Sequence, residues 1–134
     1  MPHLVILYTP NIESQTDMSA LCRTMADTML EQRDDEGRQV YPTGGTRVLA
    51  YPAAHFAVAD GKGDYAFVYL NVRMAAGRTE AVKKRIGDAL LAKVNAHFEP
   101  LVAQRQVGIT LQIDEAAGQV YDAKIGNLHP LFNK

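Results

Sequence analysis

The sequence predicts an α+β chain: a four-stranded mixed sheet with two helices on one face. Three observations lead there. Two stretches with apolar residues at helical spacing are each flanked by runs rich in β-branched and aromatic residues, so the order strand, helix, strand occurs twice. Each helical stretch is long enough to carry the chain back for a parallel strand, and such crossovers are nearly always right-handed. No third long helical pattern remains to cover the other face of the sheet, so association with further copies is expected to cover it.

The elements follow in order. "HLVILY" is strand-like, and Pro2 ahead of it is tolerated because the first residue of a strand needs no ladder hydrogen bond. In "TPNIESQTD", Asp17 is placed to cap a helix over 18–32, whose inward face is Met18, Leu21, Cys22, Met25, Met29 and Leu30. "RDDEGRQVYPTGG" reads as a surface connection leading into a second strand, "TRVLAY". "AHFAVADGKG" and "DYAFVYLNVRM" read as two extended segments joined by a tight reversal at the glycines flanking Lys62. A second helix follows, with Thr79 as cap, Glu80 at its positive end, and an inward stripe of Val82, Ile86, Ala89, Leu90, Val94 and Phe98. Pro100 is expected just past its end. "VGITLQIDE" is the last strand. The two units, about 1–52 and 64–115, have the order and scale of a diverged duplication within one domain spanning 1–134, and 116–134 forms a C-terminal segment.

At 134 residues the chain can bury one real core. Its 14 Lys and Arg are interspersed with 15 Asp and Glu for a net charge of -1, a balance that advertises neither nucleic acid nor an anionic membrane as partner. The lone Cys22 cannot form an internal disulfide and reads as a core residue. No run reaches the ~20 apolar residues of a membrane span, and the start lacks a signal-peptide pattern, so a cytoplasmic protein is expected. The four histidines are too dispersed for local metal-ligand spacing, and "GGT" is too short for a phosphate loop.

Taken together, "MPHLVILYTPNI", "ADGKGDYAFVYLNVRMAAGRT" and "NLHPLF" resemble the 5-carboxymethyl-2-hydroxymuconate isomerase family of the tautomerase superfamily. The resemblance covers most of the chain. It implies a tautomerase-like fold, a homotrimer, an amino-terminal proline as general base, no cofactor, and a small dicarboxylate or tricarboxylate dienol substrate from aromatic catabolism.

The chemistry suits the residues. Moving a double bond relative to a carbonyl needs one base that takes a proton at one atom and returns it at another. Removal of the initiator methionine, usual before proline, would leave Pro2 a free secondary amine; burial and a nearby arginine would both lower its affinity for a proton. A carboxylated substrate also calls for guanidinium groups, which stay charged and pair with carboxylates through two parallel bonds. Arg78, in "AAGRT", matches the family's "GR" followed by Ser or Thr, and its position opposes the helix dipole, so local stability does not explain it. Arg47, in "GGTRVLAY", resembles an arginine at the same place in the family, although this chain has fewer arginines there; it reads equally as a surface strand residue. His3 adjoins Pro2 and serves either the site or the strand. Arg73 reads as an outward or interface charge, and Tyr65 and Phe67 as pocket walls or core. Two other readings stay open: a hydratase, decarboxylase or dehalogenase on the same fold, which would need a carboxylate to activate water, and a catalytically silent trimeric binding protein.

Overall fold

The computed structural model describes residues 2–132. Met1, Asn133 and Lys134 lie outside them, and with Met1 the question of its removal.

The elements are β1 (His3–Tyr8), α1 (Met18–Leu30), β2 (Arg47–Pro52), β3 (Ala66–Ala75), α2 (Glu80–Val102), β4 (Val107–Ala116) and a short α3 (Leu128–Phe132). The strands form one mixed sheet in the order β2-β1-β3-β4. β1 and β2 are parallel, as are β3 and β4, and the two pairs meet through antiparallel β1 and β3. Each helix is therefore the crossover of a parallel pair.

Side chains alternate across the sheet. Leu4, Ile6, Val68, Leu70 and Val72 are fully buried on one face, where they form a core with Leu21, Met25 and Met29 of α1 and Ile86, Leu90 and Phe98 of α2. Both expected caps form: Asp17 accepts from the Ala20 N–H at 2.9 Å, and Thr79 accepts from the Val82 N–H at 3.2 Å. Cys22 is a free, half-buried thiol beside this core, and burial raises its pKa.

Two expectations about local structure are corrected. Pro100 lies inside α2 rather than beyond it, and the helix runs on to Val102. A proline this near a helix end disturbs only the last turn, and Leu101, 4% exposed, holds that turn on the core. Residues 53–65 contain no strand before β3. β2 and β3 flank β1 from opposite sides, so their connection has to pass the end of β1 and cannot be a hairpin. Its turn is at Val58–Gly61, closed by the Gly61 N–H donating to the Val58 carbonyl at 3.1 Å.

The opposite face of the sheet is open. Leu7, Leu49, Tyr51 and Phe67 line it at 47%, 43%, 50% and 37% exposure. Among the described residues, no helix is long and apolar enough to cross a membrane.

Half-buried His97 of α2 meets Thr16, in the turn just before α1, with Nε2 and Oγ1 2.8 Å apart. Burial lowers the imidazole pKa from 6.5, and the more distant Asp17 charge opposes that shift. The unfolded chain thus binds this proton more readily, so the histidine's contribution is complete above about pH 6.5 and lost as pH falls through the lower folded value. The melting temperature is expected to drop between pH 7 and pH 5 by more in this protein than in His97→Gln. Equal drops would show that His97 carries none of the acid sensitivity.

Candidate active site

Pro2 precedes β1 on the same side as Leu4 and is buried. The antiparallel register pairs His3 with Arg73, so the last buried residue of β3, Met74, lies beside Pro2. The chain then turns at Gly77, whose φ of +116° a side chain would strain, and reaches Arg78 directly before the Thr79 cap. This turn brings Arg78 to the cavity against which Pro2 packs. The cavity holds about 180 Å³; its walls are Val40, Tyr41, Pro42, Met74 and Ala75, with Lys124 and His129 of the C-terminal segment.

Arg78 is half-buried and donates from Nη2 to the Val40 carbonyl at 2.8 Å. Among the described residues it has no carboxylate partner, so its remaining donors are available to an anion. Tyr41, 1% exposed, donates its hydroxyl to Met74 Sδ at 3.4 Å. Burial pushes the phenol pKa up to about 12 against the pull of Arg78, so it stays neutral beside the cavity. Lys124 Nζ is held by Asp122 Oδ2 at 2.6 Å. Among the described residues, no carboxylate lines the cavity.

The C-terminal segment closes this region because α3 packs on the 3-10 turn Thr43–Gly45, which overlaps the "GGT" of the sequence. A methyl group on Gly44 would come 2.8 Å from His129 Cα, so only glycine allows that approach.

The predicted site residues divide into two pairs. Pro2 and Arg78 share the cavity. Arg47 and His3 are register partners whose side chains lie on the open face of the sheet, on the other side from Pro2. Arg47 is exposed and donates from Nη1 to the Gly45 carbonyl at 3.3 Å. Arg73, also exposed, extends that row across β3 and faces Asp114 on β4. Phe67 is on the same open face, and Tyr65 is half-buried. The sequence reading does not single out Tyr41, Lys124 or His129 for the cavity; "NLHPLF" was the one signal that pointed to the C-terminal segment.

A larger groove of about 820 Å³ lies at the other end of β1, beside Tyr8, Glu13, Asp17 and Cys22. Tyr8 donates to Glu13 there, and burial with that carboxylate pushes its phenol up to about 12. Among the described residues the groove has no cationic side chain, and it is separated from Pro2 by the length of the strand, so it does not suit an anionic substrate.

The two β-α-β units, with a buried proline at the head of β1 and at the β3–α2 junction an arginine that among the described residues has no carboxylate partner, give the chain a tautomerase-like fold. A fused 4-OT described as a symmetric trimer shares this fold at TM-score 0.53 and 16% identity over 90% of this chain and 93% of that one. The family model for 5-carboxymethyl-2-hydroxymuconate isomerase matches residues 2–132, and the chain belongs to that family. It is 26% identical over 132 residues to the 5-carboxymethyl-2-hydroxymuconate Delta-isomerase of Escherichia coli, covering 98% of this chain and 99% of the relative. Similar solved structures include a 5-carboxymethyl-2-hydroxymuconate delta-isomerase at 58% identity and TM-score 0.94, covering 100% of this chain and 94% of that one. Another is a 5-carboxymethyl-2-hydroxymuconate isomerase from Deinococcus radiodurans R1, at 33% identity and TM-score 0.84 over 99% and 95% of the two chains.

Proposed function

We propose that this isomerase acts on 5-carboxymethyl-2-hydroxymuconate or a closely similar carboxylated dienol, with the Pro2 amine, freed by removal of Met1, as general base. The observation that carries this reading is the meeting of Pro2 and Arg78 in one cavity. The amine takes the proton from the dienol hydroxyl, whose carbon becomes the carbonyl, and returns it to the far carbon of the diene, which leaves one double bond conjugated with the new ketone; one base completes the shift and no cofactor is called for. Burial of Pro2 and the guanidinium beside it both disfavour the protonated amine and keep the base available. Arg78 binds a substrate carboxylate and offsets the negative charge that builds on the enolate oxygen.

Arg47 and His3 serve the reaction through assembly. Their place on the open face keeps them from their own subunit's cavity, whereas a homotrimer that buries Leu7, Leu49 and Tyr51 would carry Arg47 towards an adjoining subunit. A cytoplasmic location and a role in aromatic catabolism complete the reading. Hydration, decarboxylation or dehalogenation is disfavoured because among the described residues no Asp or Glu lines the cavity to activate water, and Asp122 beside it is held by Lys124.

The test is ultraviolet-monitored isomerisation of 5-carboxymethyl-2-hydroxymuconate by protein whose first residue is confirmed as Pro2 by mass. Turnover is expected. Arg78→Lys, which keeps a charge but loses the two-bond grip, is expected to lower kcat/KM about 10- to 100-fold. Absence of turnover with a free Pro2 would overturn the reading, and a fully active Arg78→Lys would remove Arg78 from it.

A further inference from the structure

We propose that His129 is a substrate-binding residue of the Pro2 cavity, presenting its Nε2–H to an oxygen of the carboxylated dienol. The proposal rests on the isomerase reading and adds a recognition group from the C-terminal segment to those at Pro2 and Arg78.

The geometry of the ring decides which nitrogen can act. His129 is held in α3 against Gly44, so closely that a Cβ there would sit 3.1 Å from Nδ1. Nδ1 is buried and has no hydrogen-bond partner among the described residues. Buried N–H groups without an acceptor are rarer than buried acceptors without a donor, so the neutral ring carries its proton on Nε2. With Nδ1 sealed against the turn and the residue lining the cavity, Nε2 is the nitrogen left to meet a ligand.

The substrate's charge gives that donor a use. A dienol with two or three carboxylates has more anionic oxygens than one guanidinium can pair with. Lys124, among the described residues the other cation at the cavity, is occupied by Asp122. His129 therefore supplies a second, directional contact. Its N–H adds a hold on the dienol in ground state and transition state alike, so its loss is read in KM rather than in kcat.

The test uses two independent readouts on the intact protein. In the first, nitrogen NMR of the histidine side chains is followed while cis,cis-muconate is added, a dienedicarboxylate with no enol to turn over. The expected result is the Nε2–H tautomer at His129 and a shift of its Nε2 signal on addition, with exposed His55 unmoved. An Nδ1–H tautomer, or an Nε2 signal indifferent to muconate, would overturn the proposal. In the second, His129→Leu is expected to raise KM about tenfold with kcat little changed, and His129→Gln, which restores an N–H at similar reach, to recover most of the loss. An unchanged KM in His129→Leu, or a Gln variant no better than Leu, would also overturn it. Should the unmodified protein fail to turn over, the isomerase reading falls while the muconate titration still decides the role of His129.

Discussion

Retaining Met1 on Pro2 is expected to lower kcat/KM about 10²- to 10⁴-fold, the range a positioned general base contributes. The reason is chemical: acylation makes the Pro2 nitrogen an amide, whose lone pair is delocalised into the carbonyl and no longer takes a proton. Pro2→Ala is expected to lose less than the blocked protein, because a primary amine remains but without the ring that fixes its position beside Met74 and Arg78. For the free protein the rate should rise with pH through the amine's titration, since the unprotonated form is the base. The measurement is the pH profile of kcat/KM for all three proteins, with mature N-termini verified by mass. Equal activity in the blocked and free forms would exclude Pro2 as base and leave the cavity with a binding role only.

Phe98→Ala is expected to destabilise the fold by about 3–5 kcal/mol, the cost of removing a buried aromatic ring and leaving a cavity behind. Phe98 is fully buried in the core, and it is next to His97, which holds α2 to Thr16 in the turn before α1. Little relaxation is available, because the sheet residues beneath the helices are themselves fully buried and close-packed. Denaturant unfolding at fixed protein concentration would measure the loss, the concentration being fixed because assembly also contributes to stability. A loss below about 1 kcal/mol would mean that the helices can close over the vacated space.

The helices were legible because their signals are local. Met18, Leu21, Met25 and Met29 recur on one face, Asp17 and Thr79 stand where caps are needed, and each of these forms as expected. The strands were legible in place and type, though not the path between β2 and β3. The glycines around Lys62 indicate a turn, yet whether a turn joins paired strands depends on strand order, which is not a local property. Pro100 misled for a similar reason: its local preference to end a helix is outweighed by the burial of Leu101 one residue later.

The site was half legible. Pro2 and Arg78 stand 76 positions apart and were linked by motif and by chemical need; the antiparallel β1–β3 register and the turn at Gly77 explain why they meet. Arg47 reads in the sequence as a weaker candidate than Arg78, equally a surface strand residue, and strand alternation sends it to the opposite face. By itself the sequence determined the element types, the helix limits near their caps, the inward faces and the residue chemistry, because these depend on neighbours within a few positions. Tertiary structure alone decided that His129 closes over Gly44 beside Pro2 and that Arg47 does not reach the same cavity, because strand order and register set distances between residues remote in the chain.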